Sequence, residues 1–173
     1  MADNPESGSS ADTACDVAHG AAKADTVERT LVAVFASPVA GYLLAYGRDL
    51  GYTPVLVDPD PQRASAAGAV TTVPELDGSA DVVVTDHHRA ELGPMLRDAL
   101  REPARWIGVL GNPRHAGPHV AALTELGVAA ADIARVHRPV GLNIGSRTPP
   151  EIAIATLAGL IADRNGRPGG FEF

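Results

Sequence analysis

From Thr30 onward the chain repeats one scheme, a short β-branched run followed by a longer run rich in Ala and Leu. That alternation is the signature of strand and helix in succession, and it restricts the chain to folds in which helices carry the chain from one strand to the next. Strands are predicted over 31–35, 54–57, 81–85 and 106–110, with a weak one over 69–73. Helices are predicted over 38–50, 88–100, 114–126 and 149–163. Val82-Val83-Val84 and the run from Trp106 to Leu110 are apolar on both alternating faces. Only a strand covered by helices on both sides carries such a pattern. The expected architecture is a Rossmann-like, doubly wound, mostly parallel sheet in three α/β/α layers, a single domain over 29–166.

At 173 residues and 45% apolar content the chain has material for one core. Residues 1–28 are small, polar and acidic, with hardly a large apolar side chain. Ordering them costs more conformational entropy than burial returns, so they are predicted to be a disordered acidic tail, and 167–173 a short C-terminal tail. The formal net charge of −7 argues against a protein that neutralises phosphate backbones, so nucleic acid is not an expected partner. Cys15 is the one cysteine, so an intramolecular disulfide is excluded, and no charged-then-apolar leader opens the chain. No apolar stretch approaches the ~20 residues that span a bilayer. A cytoplasmic protein without a membrane partner is expected.

The first strand-turn-helix unit is where a dinucleotide-binding domain carries G-x-G-x-x-G. There the first glycine makes the tight turn, the second lets the pyrophosphate approach the backbone, and the third lets helix and strand pack closely. Here the positions read Ala36-Ser37-Pro38-Val39-Ala40-Gly41, so only the third glycine is kept. Pro38 puts a ring where phosphate would lie and removes one N–H from the helix start. Ser37 and Pro38 also read as a good N-cap and first-turn pair. Asp58 follows at the end of the second strand, about 20 residues on, where an acidic side chain takes ribose hydroxyls.

Other candidates lie at strand ends and in one late loop. His87 and His88 follow the strand that ends at Thr85, at the carboxyl edge where open parallel sheets place ligands, and Thr85 and, of the two histidines, His87 are the candidates there. Gly111 and Asn112 follow a buried strand and offer backbone N–H groups to an anion, with Arg114 supplying charge; Asn112 reads equally as a helix N-cap. In Pro139 to Gly145, Gly141, Asn143 and Gly145 belong to a loop whose glycines imply unusual backbone angles, close approach of a ligand, or a lock between loop and sheet. His115 and His119 share a helical face but have no third ligand, so no metal site is expected. Thr148-Pro149-Pro150-Glu151 is an explicit helix start, with Glu151 in a capping role. The helix body from Ile152 to Ile161 is apolar almost all round, hence buried against the sheet or against a second copy in a homodimer. No serine or cysteine has the setting of a nucleophile, and no catalytic residue is assigned.

Three strings, WIGVLGN (Trp106 to Asn112), LGV (Leu126 to Val128) and PVGLNIGSRTPPEIAIATLAGLIADRNG (Pro139 to Gly166), resemble the Rossmann domain of the XdhC/CoxI family of xanthine dehydrogenase accessory factors. The family pattern is aromatic-IGLLGS followed by PVGLDIGA-x-TP-x-EIA. VFASPV is similar to the family's IFGAGHV, VLVDPDP to VVDPRP, and DVVVTDHH to a strand ending in Thr-His. Ala36 and Pro38 stand for glycines, Val39 for histidine, Asp60 for arginine, Asn112 for serine and Asn143 for aspartate. The family's N-terminal domain with its Cys-Gly-Gly segment has no counterpart in residues 1–28. The resemblance implies an accessory protein, more a chaperone than an enzyme, that serves a molybdenum hydroxylase client. It also implies a molybdopterin (molybdenum cofactor) or nucleotide ligand at the carboxyl edge of the sheet. Two alternatives stand beside it. One is an NAD-dependent oxidoreductase with an atypical phosphate loop, NAD being favoured over NADP because Asp58 and Asp60 repel a 2′-phosphate. The other is a Rossmann interaction protein without a ligand.

Overall fold

The computed structural model describes residues 15–21, 27–112, 114 and 117–170. Most of the predicted acidic tail, His115 and the last three residues lie outside the described residues. Five strands form one sheet: β1 (Arg29–Val34), β2 (Tyr52–Val57), β3 (Asp81–Val84), β4 (Trp106–Val109) and β5 (Val136–His137). Their order is β2-β1-β3-β4-β5, and every pairing is parallel. Val34 lies opposite Val57 on one side and Val84 on the other, and Val84 lies opposite Val109. The chain therefore winds outward in one direction from β1 to β2 and in the other from β3 to β5. The reversal between β1 and β3 opens a crevice at the carboxyl ends of the strands. The weak strand expected over 69–73 is reduced to one bridge between Val70 and Val57. It is held by Asp58 N–H to the Val70 carbonyl at 2.9 Å and Val70 N–H to the Leu56 carbonyl at 3.0 Å.

The helices that accompany the sheet are α1 (Pro38–Asp49), α2 (Pro61–Ala67), α3 (Leu92–Arg101), α4 (Pro118–Glu125), α5 (Ala130–Ile133) and α6 (Pro149–Arg164), and a short helical stretch also lies at 15–18. Alternation along β1 sorts its side chains to two cores. Val32 and Val34 join Leu96, Ala99 and Leu123 under α3 and α4, while Leu31 and Ala33 join Leu43, Leu157 and Leu160 under α1 and α6. These are the three layers that the both-faced apolar strands required.

Two helices start later than the sequence pattern suggests. The helix expected from His88 begins at Leu92, because Asp86 Oδ1 accepts the His88 N–H at 2.9 Å and turns the chain aside first. The helix expected from Arg114 begins at Pro118, with Gly117 as N-cap; Asn112 Oδ1 instead accepts the Arg114 N–H at 2.9 Å. Three short elements, α2, α5 and β5, have no counterpart in the sequence reading. In α2 only Ala64 is buried, so no apolar stripe marks it, although Asp60 caps it by accepting from Gln62 N–H at 2.8 Å and Arg63 N–H at 3.2 Å.

At the opposite, amino end of the sheet a polar network clamps α6. Arg105 Nε donates to Asp81 at 2.7 Å, Arg105 Nη1 to Asp163 at 2.6 Å, the Tyr52 hydroxyl to Asp81 at 2.9 Å, and Arg164 to the Tyr52 oxygen at 2.8 Å. The Asp81 side chain is fully buried, so its charge depends on those partners. Arg105→Ala is expected to cost about 3 kcal/mol, because it leaves a buried charge uncompensated. Urea unfolding reads this as a lower midpoint at unchanged slope. A loss below about 1 kcal/mol, the worth of an exposed pair, would contradict the clamp.

Candidate functional site at the carboxyl edge

The turn after β1 departs from the usual backbone. Phe35 has φ +74°, a left-handed value that costs a non-glycine residue on the order of 1 kcal/mol. Its ring is fully buried, its N–H bonds to the Val57 carbonyl at 2.7 Å, and the Arg89 guanidinium lies 4.8 Å from the ring centre. The turn aims the Ala36 N–H at Asp58 Oδ2, 2.9 Å away, while Asp58 Oδ1 accepts the Asp60 N–H at 3.1 Å. Arg89 completes the shell, 3.3 Å from Oδ1 and 3.4 Å from Oδ2, and its other side pairs with Glu91 at 3.1 Å. Burial pushes the Asp58 carboxyl up, but the two N–H groups and the guanidinium outweigh it, and the group titrates below the ordinary aspartate value. Asp58, expected at the open edge facing a ribose, is thus fully buried, with both oxygens turned toward protein partners.

Ser37 and Pro38 act as the capping pair. Ser37 Oγ accepts the Ala40 N–H at 3.1 Å and donates to Thr85 Oγ1 at 3.0 Å. The Thr85 hydroxyl in turn donates toward the Phe35 carbonyl at 2.8 Å and the Val34 carbonyl at 3.0 Å. Ser37 and Thr85 therefore form one hydrogen-bonded knot with the Val34 and Phe35 carbonyls at the ends of β1 and β3, and Ala36 and Pro38 flank Ser37 in the same turn. The retained fingerprint glycine, Gly41, is not the close contact between helix and strand, since a Cβ there meets nothing within 4 Å. Gly47, two turns further along α1, is: a Cβ there would stand 2.5 Å from Leu31 Cδ2.

Beyond this knot lies a cleft of about 530 Å³. Val39, Thr85, His87, Gly111, Asn112, Gly141, Asn143 and Gly145, all sequence candidates, line it, and Leu110, Val140, Ser146, Ile152 and Ala155 are added by the structure. Ala36, Ser37, Pro38, Asp58 and Arg114 are not among its lining residues. His87 and Asn112 also wall a second hollow of about 800 Å³ between α3 and α4. Burial, and next the His88 ring 4.1 Å away, lower the His87 pKa, against a hydrogen bond to the Leu110 backbone, so the neutral imidazole is favoured. Arg138 Nη2 donates to the Asn112 carbonyl at 2.9 Å and crosses over Gly111, where a Cβ would meet that nitrogen at 2.7 Å. Its place became visible only in the fold, the one sequence signal being its position just before the Pro139 to Gly145 string. His119 is buried, its pKa lowered by burial and then by Arg138. Among the described residues no three His, Cys, Asp or Glu gather to hold a metal ion.

The late loop is built onto α6. Gly141 has φ +87°, and a Cβ there would meet Ala155 C, Ala155 O and Thr156 N at 2.9 Å. Its partner in this approach is Gly159, where a Cβ would stand 2.9 Å from Gly141 Cα. Leu142 N–H bonds to the Ala155 carbonyl at 3.0 Å. At the far end Glu151 accepts the Arg147 N–H at 2.7 Å and the Thr148 N–H at 3.1 Å, which also holds its carboxyl below the usual range. Gly145, with φ +71°, has open space around its α-carbon. The loop is therefore fixed at both ends and exposed at its tip.

The fold is thus a doubly wound, open parallel α/β sheet with a cleft at the carboxyl ends of its strands, the edge at which such sheets place their ligands. The comparisons give it a family. The model of the XdhC Rossmann domain matches residues 31–160, and the chain belongs to that family. It is 45% identical over 71 residues to the uncharacterized protein YqeB of Escherichia coli (strain K12), a match covering 41% of this chain and 13% of that protein. A crystal structure described as a xanthine dehydrogenase from Bacillus halodurans superposes with a TM-score of 0.63 at 22% identity, covering 80% of this chain and 45% of that one. At that identity the likeness concerns the fold. The chain spans less than half the length of either protein.

Two outcomes test this geometry. Gly141→Ala adds both a backbone clash and φ strain, whereas Gly145→Ala adds strain alone, so the first is expected to cost at least about 2 kcal/mol and the second about 1. Equal thermal shifts for the two variants would contradict the packing of the loop on α6. Because the Asp58 carboxyl titrates below its ordinary 3.8, it contributes stability above that pH which is lost as pH falls through the folded value. Asp58→Asn is accordingly expected to flatten the acid limb of stability against pH; an unchanged limb would contradict the assigned shell.

Proposed function

We propose that this domain is an accessory module in the maturation of a molybdenum hydroxylase, holding a molybdopterin or mononucleotide ligand as cargo in the cleft beside His87. The observation that carries the reading is the cleft itself, a volume within the roughly 300–1,000 Å³ typical of small-molecule sites, walled by the Pro139 to Gly145 loop that resembles the family string. Its lining offers the amides of Asn112 and Asn143, the imidazole of His87 and the hydroxyl of Ser146, chemistry suited to the donor and acceptor edge of a pterin or base. Backbone at Gly111, with Arg138 alongside, suits a phosphate. The lining has no nucleophile paired with a base, which favours carrying over converting the ligand. Family membership and the neighbour described as a xanthine dehydrogenase support a client of that type.

A dinucleotide oxidoreductase is less well supported. Pro38 brings no N–H to the helix start, and the Ala36 N–H already has a carboxylate acceptor.

Titration calorimetry with molybdopterin and with AMP is expected to show saturable binding by at least one of them. Asn112→Ala is expected to weaken that binding about tenfold, the worth of one hydrogen bond. Absence of heat from both probes up to millimolar concentration would contradict the proposal.

A further inference from the structure

In an open α/β sheet a dinucleotide occupies two adjoining positions on the carboxyl edge. The pyrophosphate sits on the turn after the first strand, and the adenosine ribose on an acidic residue at the end of the second. In this protein an internal contact joins those two positions. Arg89 reaches from the loop after β3 across the end of β1, its guanidinium over the Phe35 ring, and ends against both oxygens of Asp58 at 3.3 and 3.4 Å. The Asp58 side chain has no exposed surface, and that of Arg89 retains 15%. Glu91 holds the outer side of the guanidinium at 3.1 Å and so keeps it in place. A ribose approaching Asp58 must displace Arg89, exchanging an ion pair for hydrogen bonds from uncharged hydroxyls to the same carboxylate and uncovering the Phe35 ring.

We infer that Arg89 determines ligand specificity by occupying Asp58 from within the protein. It closes the adenosine half of the edge and leaves the cleft beyond β3, so that cleft takes a single phosphorylated ring system and not a dinucleotide. The inference rests on the reading above that this cleft is the ligand site. It is separable from the effect of Pro38, which concerns the phosphate turn, whereas Arg89 concerns the ribose.

The test uses ADP-ribose as the probe, titrated into the full chain by calorimetry. The wild-type protein is expected to bind it no tighter than the millimolar range. Arg89→Met keeps the length and apolar stem of the side chain but frees the carboxylate, and is expected to bind ADP-ribose at least about tenfold tighter, as two hydrogen bonds to a charged acceptor allow. The gain should vanish in the double variant Arg89→Met with Asp58→Asn. Micromolar binding of ADP-ribose by the wild type, or equal titrations for the wild type and a folded Arg89→Met, would overturn the inference. Should Arg89→Met lose its thermal transition, Arg89→Lys, which keeps one charged contact, is expected to give a smaller gain, and no gain there would overturn it as well. Molybdopterin and AMP titrated into Arg89→Met separate the two readings. A gain for ADP-ribose with neither of them bound removes the cleft assignment and leaves Arg89, and binding of either without a gain for ADP-ribose removes Arg89 alone.

Discussion

The Asp58 carboxylate carries a negative charge into a position that water does not reach, and a charge so placed must be met by donors on all sides. The donors come from three separate pieces of chain: Ala36 from the turn after β1, Asp60 from the start of α2, and Arg89 from the loop after β3. Satisfying one carboxylate therefore sets the geometry of half the carboxyl edge. It rewards the left-handed Phe35, whose backbone angle turns the next N–H inward, and it brings Arg89 over the Phe35 ring. What remains open is the other half, where β3 and β4 end and the loop before α6 closes over them.

That second half is made by backbone packing more than by charge. Gly141 and Gly159 let the loop lie directly on α6, with Leu142 hydrogen-bonded to the Ala155 carbonyl. The clamp of Arg105, Asp163, Arg164 and Tyr52 fixes the far end of the same helix to the amino end of the sheet. A cleft wall mounted on a helix anchored in this way is preorganised, which under the proposed function keeps the ordering cost of a ligand small.

The fold was legible where pattern and physics coincide. Val82 to Val84 and Trp106 to Val109 had to be covered on both sides, and the structure covers them with helices. Elements too short for a period were not legible: β5 is two residues, and α2 buries one alanine. Helix starts were displaced where a side chain competes with the helix for backbone, as Asp86 and Asn112 do. Of the site, the residues that immediately follow strands were found, because strand ends in open sheets face the crevice. The pairing of Arg89 with Asp58 was not, since 31 residues separate them and nothing local announces the contact. Gly41 was read as the packing glycine by analogy with the fingerprint, while the close approach is made by Gly47.

The central claim is that ligand is held beyond β3, by the cleft around His87, and not on the turn after β1. Backbone amide shift mapping of the wild-type protein with molybdopterin or AMP tests this most directly. Perturbations are expected at Gly111, Asn112, Leu142, Asn143 and Gly145, with Ala36, Asp58 and Asp60 unmoved. Perturbations centred on Ala36, Asp58 and Asp60 would contradict it.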